Sequence, residues 1–270
     1  MRARKRFGQH FLHDQGVVER MLRALAPAPA DRVVEIGPGP GALTYPLLDH
    51  VPALDVVELD RDLAARLEAH PAAAAGRLRV HRGDVLRFDF GALAGPAAGL
   101  RLVGNLPYNI STPLLFHLFD QLDAIRDMHF MLQREVVARM AAAPGSKTYG
   151  RLSVMVQYHC RVERLFGIGP GAFTPPPRVH SEVVRLVPHA EPPVTVVDPE
   201  SLQRVVRAAF GQRRKTLRNA LQGLVDAEAM AAAGIDPGQR PERLFLADFA
   251  RLADLAADYP AAPAPTPSRP

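Results

Sequence analysis

Arg32-Val33-Val34-Glu35-Ile36-Gly37-Pro38-Gly39-Pro40-Gly41 is the stretch of sequence that decides the fold. Its first half is a short apolar run typical of a buried strand, and its second half is a glycine-rich turn that leads into a helical pattern. Such a turn lets the backbone approach a ligand closely and directs a helix N-terminus at a negatively charged group. Read as Gly37-x-Gly39-x-x-Ala42, it also fits the dinucleotide-binding fingerprint. The turn by itself therefore leaves NAD(P) and S-adenosylmethionine open as cofactors.

Short apolar runs and helical patterns alternate along the chain after this stretch. The sequence predicts strands at residues 32–36, 54–59, 78–81, 100–103 and 128–132. It predicts helices at residues 42–49, 62–69, 113–122 and 134–142. Alternation of this kind is typical of right-handed βαβ crossovers in a parallel sheet that helices cover on both faces. The predicted fold class is therefore α/β, with a Rossmann-like sheet.

The pattern changes in the second half of the chain. Residues 152–166 and 181–187 are two runs of β-forming residues, separated by a segment rich in glycine and proline, which predicts an antiparallel pair at the sheet edge. A proline-containing break then leads to a region with apolar residues at helical spacing. We therefore expect a catalytic domain over residues 1–190 and a small helical domain over 191–259. Residues 260–270 are mostly alanine and proline, which predicts a disordered tail.

The composition favours an intracellular protein with a polyanionic partner. The chain has 270 residues, 33 Lys and Arg against 28 Asp and Glu, a net charge of +5 and a pI near 9.8. This balance favours nucleic acid without proving it. The single cysteine, Cys160, excludes an internal disulfide, and no Cys/His cluster has zinc spacing, so we expect no metal. No apolar run suits a signal peptide or a membrane span, which predicts a cytoplasmic protein.

Two acidic residues at predicted strand ends belong with the glycine turn. Glu58 lies about twenty residues after Gly37, where a carboxylate can accept hydrogen bonds from both ribose hydroxyls of a cofactor. Asp84, in Gly83-Asp84, can accept from an adenine amino group. Each has a structural alternative, since Glu58 can be a solvent-facing strand end and Asp84 can cap a following turn. Because the carboxyl ends of parallel strands border the ligand crevice, we favour cofactor binding for both, together with Gly37 and Gly39.

The tetrapeptide Asn105-Leu106-Pro107-Tyr108 follows the fourth predicted strand and indicates the chemistry. The amide oxygen of Asn105 and the carbonyl of Leu106 can both accept from an exocyclic amino group, and Tyr108 offers a face for stacking a base. An amine held in this way has its lone pair available for in-line attack on a methyl group. In isolation the tetrapeptide can be a turn in which Pro107 merely ends strand pairing. In a βαβ series it favours methyl transfer from S-adenosylmethionine to the amino nitrogen of a base.

These motifs and others resemble the ribosomal RNA adenine N6,N6-dimethyltransferases of the KsgA type, a family with the class I S-adenosylmethionine-dependent methyltransferase fold. The resemblance covers nearly the whole chain, and so many segments in one order are not expected by chance. The segments are Arg6-Phe7-Gly8-Gln9-His10-Phe11-Leu12, Glu35-Ile36-Gly37-Pro38-Gly39-Pro40-Gly41-Ala42-Leu43-Thr44, Glu58-Leu59-Asp60, Gly83-Asp84, Gly104-Asn105-Leu106-Pro107-Tyr108-Asn109-Ile110-Ser111-Thr112-Pro113, Gln133-Arg134-Glu135-Val136, Ala172-Phe173-Thr174-Pro175-Pro176-Pro177-Arg178-Val179-His180-Ser181 and Phe210-Gly211-Gln212-Arg213-Arg214-Lys215-Thr216-Leu217-Arg218-Asn219.

The resemblance implies roles for particular residues. The residues that would line the cofactor site are His10, Leu12, Gly37, Gly39, Glu58, Asp84 and Asn105. The residues that would handle the target adenine are Asn105, Leu106, Pro107, Tyr108 and Phe173. Family members carry Asn or His where this chain has His10, which a backbone contact would tolerate. Phe173 would face Tyr108 across a flipped base, and its structural alternative is a core anchor.

The resemblance also implies a substrate and partners. The family dimethylates two adjacent adenosines in a hairpin loop near the 3′ end of the 16S rRNA of the small ribosomal subunit, which links the chain to ribosome biogenesis. Unpaired loop bases suit this chemistry because their amino edges are accessible and unstacking them costs little. We expect a monomer. Basic residues of the predicted helical domain would contact RNA phosphates, with a solvated helical face as the alternative. They are Arg204, Arg207, Arg213, Arg214, Lys215 and Arg218.

Four other functions compete with this interpretation. A related family methylates an adenine of large-subunit ribosomal RNA and confers antibiotic resistance, but residues 174–179 and 212–217 resemble the small-subunit enzymes more closely. A DNA adenine methyltransferase would share the tetrapeptide but not the C-terminal resemblance. An NAD(P) oxidoreductase would leave residues 105–108 without a role. A non-catalytic assembly factor would not need Asn105 and Tyr108.

Overall fold

The structure is a computed structural model that describes residues 10–94, 99–212 and 214–257. Residues 1–9, which include the basic start of the chain, Arg213 and the predicted tail at 260–270 lie outside the described residues. The chain forms two compact units. The first comprises the residues up to Ala141 together with His159–Ala190, and the second comprises Ala142–Tyr158 and the residues from Glu191 onward.

A seven-stranded mixed sheet dominates the first unit. The described residues of this unit contain nine strands, of which seven belong to this sheet. In chain order they are β1 (Phe11–Leu12), β2 (Val33–Ile36), β3 (Leu54–Glu58), β4 (Leu78–Arg82), β5 (Leu100–Asn105), β6 (Ile125–Gln133), β7 (Cys160–Ile168), β8 (Phe173–Thr174) and β9 (Ser181–Pro188). The sheet order is β4-β3-β2-β5-β6-β9-β7, while β1 and β8 form a separate antiparallel pair. Neighbours from β4 to β6 are parallel, and β9 is antiparallel to both β6 and β7. The predicted α/β class and antiparallel edge are therefore confirmed.

The described residues of the first unit contain six α-helices. They are α1 (Gln15–Leu25), α2 (Thr44–Leu48), α3 (Arg61–Glu68), α4 (Pro71–Ala74), α5 (Ser111–Phe119) and α6 (Arg134–Met140), with 3-10 helices at Val85–Arg87, Gly91–Leu93, Leu122–Ala124 and Pro170–Ala172. Of these, α2 to α5 lie between parallel strands along the chain. Every residue of β2 and β3 is buried, as expected for strands covered on both faces. Helix α1 begins after Asp14, whose carboxylate accepts from the Val17 backbone N–H at 3.1 Å. These elements bring the carboxyl ends of β2, β3 and β5 to one edge.

The second unit is helical within the described residues. Its elements are α7 (Arg151–His159), α8 (Pro199–Gly211), α9 (Leu217–Ala220), α10 (Ala227–Ala232), α11 (Leu246–Ala257) and a 3-10 helix at Pro241–Arg243. The last residue of α7, His159, belongs to the first unit. Apolar residues of α8 and α11, such as Val205 and Phe249, are fully buried. The ring of Phe210 lies 6.1 Å from that of Tyr149 and 5.7 Å from that of Phe249. Residues 142–158, which the sequence pattern had placed in the catalytic domain, thus share the core of this unit.

The strand predicted at residues 152–166 is wrong in its first half. Residues Arg151–His159 form α7, and the strand β7 covers only Cys160–Ile168. Val154, Met155 and Val156 are consecutive and all buried. Periodicity cannot distinguish a short apolar run in a buried helix from a buried strand, which is the physical reason for the error.

Candidate active site

Two adjoining cavities open at the carboxyl ends of β2, β3 and β5. Both are lined by Gly37, Glu58 and Pro107. The predicted site residues that line the first are His10, Leu12, Gly37, Gly39, Glu58, Asn105, Leu106, Pro107 and Tyr108. The second, of about 200 Å³, adds Asp84. Of the predicted cofactor and base-binding residues, Phe173 alone lines neither cavity.

The glycine turn and Glu58 are bonded to each other. The backbone N–H of Gly39 donates to Glu58 Oε2 at 3.1 Å, and that of Asp60 donates to Glu58 Oε1 at 2.8 Å. Glu58 is 5 % exposed, so it is not a solvent-facing strand end. Burial raises the pKa of Glu58, while the two backbone hydrogen bonds lower it. A carboxylate oxygen accepts two hydrogen bonds, so each oxygen retains capacity for a ligand hydroxyl.

The turn passes close to the N-terminal segment. Gly37 and Gly39 have φ values of 66° and 57°, a left-handed conformation that glycine adopts without strain. A Cβ on Gly39 would lie 3.2 Å from the ring of Phe11. The absence of side chains here therefore lets β1 cover the turn and form a wall of the first cavity.

Glu35 is a second acidic residue of the first cavity, and the sequence predicted no role for it. It is fully buried, and Thr44 Oγ1 donates to its Oε2 at 2.6 Å. Burial raises the pKa of Glu35 to about 8, and the nearby charge of Glu58 also raises it. Through its bond to Thr44, Glu35 joins the end of β2 to the start of α2. Only its position beside the glycine turn could have indicated this.

Asp84 caps a turn, as one of the two interpretations from the sequence predicted, and it also lines the second cavity. Its Oδ1 accepts from the Leu86 backbone N–H at 3.0 Å and caps the 3-10 helix at Val85–Arg87. The residue is also exposed and lines the second cavity. Leu59, for which the sequence predicted no role, is 52 % exposed at the same cavity. An apolar surface next to a carboxylate suits a flat base with an amino edge.

The amide of Asn105 has a fixed orientation. Its Nδ2 donates to the backbone carbonyl of His10 at 2.7 Å. Because a carbonyl oxygen only accepts, this bond assigns the amide nitrogen and leaves Oδ1 as the acceptor for a ligand. The preceding residue, Gly104, allows β5 to approach β2, since a Cβ there would lie 2.5 Å from the carbonyl oxygen of Ile36. Leu106 continues the strand by donating its N–H to the carbonyl of Met131 at 3.2 Å.

Tyr108 and His10 are anchored to remote segments of the chain. The Tyr108 hydroxyl and the Ser181 hydroxyl are 2.7 Å apart, and burial raises the pKa of Tyr108. His10 Nδ1 donates to the carbonyl of Pro175 at 2.7 Å, which fixes the proton on that nitrogen. The rings of His10 and Tyr108 lie 5.5 Å apart with a 32° tilt. Ser181 belongs to one of the segments that carry the family resemblance, but its contact with Tyr108 was not predicted.

Phe173 is a core residue in this conformation. It is 2 % exposed and lies opposite Leu12 in the β1–β8 pair. It belongs to the same hydrophobic cluster as Leu12 and Ala172. A base could stack on Phe173 only if this ring left the core, so Tyr108 supplies the accessible stacking face here.

The predicted RNA-binding residues have different environments within the second unit. The exposed ones are Arg207, Arg214, Lys215 and Arg218, and Arg213 lies outside the described residues. Arg204 is half-buried, and its Nη2 donates to Ser201 Oγ at 2.7 Å near the start of α8. Arg151 was not predicted to join them, because it is distant in sequence. Burial lowers the pKa of Arg151, and the charge of Arg207 lowers it further. The two cations are therefore close enough to repel each other.

Neither a membrane span nor a metal site is found in the part of the chain that the structure describes. None of its helices combines the length and the hydrophobicity needed to cross a bilayer. No group of three or more His, Cys, Asp or Glu residues there is arranged to hold a metal ion.

Comparison with known proteins gives consistent matches over almost the whole chain. The family model described as ribosomal RNA adenine dimethylase matches residues 1–258. A protein of Pseudomonas putida named ribosomal RNA small subunit methyltransferase A is 60 % identical over 257 residues, which are 95 % of this chain and 96 % of that protein. A protein of the same name from Nitrosococcus oceani is 60 % identical over 251 residues, which are 93 % and 95 % of the two chains.

Solved structures show the same fold. A dimethyladenosine transferase from Plasmodium falciparum aligns with a TM-score of 0.75 at 24 % identity, over 90 % of this chain and 96 % of that one. The 23S rRNA methyltransferase ErmE aligns with a TM-score of 0.69 at 23 % identity, over 92 % and 99 %. At these identities the structural likeness supports the fold alone.

Proposed function

The chain belongs to the ribosomal RNA adenine dimethylase family, and from this membership and its site we propose that it methylates N6 of two adjacent adenosines in small-subunit ribosomal RNA. It is a ribosomal RNA methyltransferase with a class I methyltransferase fold. The proposed target is the hairpin loop near the 3′ end of 16S rRNA, with N6,N6-dimethyladenosine as the product. The observation that carries the proposal is the Asn105 amide, which His10 orients so that its oxygen is the ligand acceptor.

The residues of the two cavities fit S-adenosylmethionine as the methyl donor. Glu58 would accept from the ribose hydroxyls, since both of its buried oxygens are already fixed by backbone N–H groups and retain acceptor capacity. Asp84 and Leu59 offer an acceptor and an apolar surface for the adenine. Gly37 and Gly39 keep the floor of the site free of side chains. When bound, S-adenosylmethionine supplies an electrophilic methyl group.

The chain's own residues position the target amine. Asn105 Oδ1 and the carbonyl of Leu106 would accept the two hydrogens of the N6 amino group, which holds the nitrogen lone pair toward the methyl donor. Tyr108 would stack on the adenine, and its hydroxyl is held by Ser181 at 2.7 Å. These groups are placed before the substrate arrives, so little reorganisation is needed in the transition state. Catalysis would rest on positioning and on the arrangement of fixed dipoles.

The proposed RNA contacts of the second unit come from its exposed cations. Arg207, Arg214, Lys215 and Arg218 are exposed and would bind phosphates, while Arg204 is engaged with Ser201. Arg213 shares the motif but lies outside the described residues. The proposed partner is the small ribosomal subunit, and the proposed state of the enzyme is a cytoplasmic monomer.

The test is transfer of labelled methyl groups from S-adenosylmethionine to undermethylated small subunits, followed by nucleoside analysis. Large subunits and DNA serve as parallel acceptors. Dimethyladenosine formed in small subunits alone is the expected result. Label in the large subunit would assign the chain the activity of the resistance enzymes. Absence of label, from folded protein that binds small subunits, would overturn the catalytic role.

A further inference from the structure

A third cavity of the first unit, of about 490 Å³, lies beyond the carboxyl end of β6 and has no role in the site described above. Its lining includes Gln133, Arg134, Glu135, Arg178, Val179 and His180. The cavity is therefore formed where β6 passes into α6 and where the proline-rich segment enters β9.

This cavity adjoins the segment that anchors Tyr108. His180 directly precedes Ser181, whose hydroxyl lies 2.7 Å from the Tyr108 hydroxyl. The backbone N–H of Arg134 donates to the carbonyl of His180 at 3.0 Å, which ties the two sides of the cavity together. The wall of the cavity and the holder of the stacking residue are thus one continuous, hydrogen-bonded segment.

Strand register places the cavity near the proposed reacting centre. Asn105 lies opposite Met131 in the β5–β6 pair, and Gln133 lies opposite Ser181 in the β6–β9 pair. Met131 and Gln133 are two residues apart on β6, which corresponds to roughly 7 Å along the strand. A nucleotide next to a base held at Asn105 and Tyr108 would therefore reach this cavity.

The cavity is positively charged. Arg134 and Arg178 are both exposed, and the carboxylate of Glu135 is bonded to Arg139 on the next turn of α6. His180 adds an exposed hydrogen-bonding ring. Guanidinium groups present several N–H donors in a plane and bind phosphate oxygens in pairs, so these two side chains suit a phosphodiester.

We propose that this cavity binds the RNA backbone beside the target adenosine, with Arg134 and Arg178 contacting its phosphates. The proposal rests on the function proposed above. A base taken into the Tyr108 site leaves its ribose and phosphates outside, and the strand must continue over the adjacent surface. The Arg134–Arg178 cavity receives that strand and contributes to binding the loop.

The test compares two double variants of the full-length protein. R134A/R178A removes the two cations of the cavity. R23A/R161A is the control, because it removes two exposed cations of the same unit: Arg23 in the last turn of α1 and Arg161 near the start of β7. Undermethylated small subunits are the substrate, and kcat, KM and their salt dependence are measured for each. Calorimetry gives the affinity for S-adenosylmethionine, and thermal unfolding checks folding.

We expect R134A/R178A to raise the KM for subunits about tenfold, with kcat and cofactor affinity within twofold of the wild type. The slope of log affinity against log salt should fall by about 0.7 for each phosphate that the variant no longer neutralises. R134K/R178K should restore part of the affinity, because lysine keeps the charge but lacks the paired N–H donors of a guanidinium. Hydroxyl-radical footprinting should show weaker protection at the nucleotides that flank the target adenosines, with protection elsewhere retained.

Three results would overturn the proposal. KM and salt slope equal to those of R23A/R161A would show that the cavity does not bind backbone. A parallel loss of cofactor affinity or of thermal stability would show that the two arginines are structural. Retained protection at the flanking nucleotides would place the phosphate contacts elsewhere. Failure of the proposed function looks different, because wild-type protein would then transfer no methyl groups to small subunits.

Discussion

Asn105→Ala tests whether the amide of Asn105 holds the reacting amine. The bond from Nδ2 to the His10 carbonyl, at 2.7 Å, leaves Oδ1 as a preorganised acceptor. Removing one such group from an active site costs roughly 3 kcal/mol in the transition state, or 10²–10³-fold in rate. The effect on folding is smaller, since the half-buried His10 carbonyl loses one donor, which costs about 1 kcal/mol. Single-turnover methyl transfer, at saturating S-adenosylmethionine and subunits, should show the rate loss with an unfolding temperature within a few degrees of wild type.

Asn105→Asp tests the hydrogen bond to the His10 carbonyl separately from the acceptor role of Oδ1. The protonated carboxyl can donate to the His10 carbonyl and still present an acceptor, whereas the carboxylate sets one oxygen against that carbonyl. Activity relative to wild type should therefore rise as the pH falls toward the pKa of the new carboxyl and be lost above it. The ratio of rates, measured over roughly pH 5 to 8, checks this. Near-normal turnover by folded Asn105→Ala would refute the acceptor role, and a flat, high ratio for Asn105→Asp would refute the orienting role of His10.

Three other substitutions test separate features of the first unit. In Glu58→Gln, one of the two backbone N–H groups that now donate to Glu58 would face an amide NH₂. Calorimetry should therefore show an affinity for S-adenosylmethionine about 10–100-fold lower. An affinity within twofold of the wild type would contradict the ribose-binding role. Gly104→Ala places a Cβ 2.5 Å from the Ile36 oxygen and should lower the free energy of unfolding by about 1–3 kcal/mol, unlike Gly171→Ala, where no heavy atom of the described residues lies within 4 Å. Burial lowers the pKa of His129 to about 4, below its value of 6.5 in the unfolded chain. The unfolded state therefore binds the proton first, and stability should fall as the pH drops from about 6.5 to 4; urea midpoints should show a shallower fall in His129→Gln.

The parallel half of the fold could be predicted from the sequence because its buried strands are short apolar runs that alternate with helical patterns. The five predicted strands agree with β2 to β6, and their ends differ by at most three residues. The helix α7 was missed because a helix buried over most of its surface has no polar face to reveal its period. The expected boundary at residue 190 followed a proline-containing break, and a contiguous boundary of this kind does not separate residues 142–158 from the first unit.

The residues of the candidate site were predictable where they follow strands, and their mutual contacts were not. Asn105 and Glu58 converge because parallel strands share one carboxyl edge. The bond from Asn105 to His10 depends instead on the two-residue strands β1 and β8, which are too short to produce a period. Phe173 illustrates the same limit. Its motif indicated an aromatic group for the target base, whereas pairing with Leu12 buries the ring.

His10 makes two separate contacts, one through its backbone carbonyl and one through its ring. Its backbone carbonyl orients Asn105, a role that any side chain permits. Its ring donates from Nδ1 to the carbonyl of Pro175, which ties the N-terminal segment to the proline-rich segment beside β8. An asparagine at this position would also carry an N–H donor for that carbonyl, and its backbone carbonyl would still face Asn105. An apolar residue would keep the first bond and lose the second. The orientation of Asn105 and the attachment to the proline-rich segment therefore depend on separate atoms of His10, so a substitution of the side chain tests the second contact without removing the first.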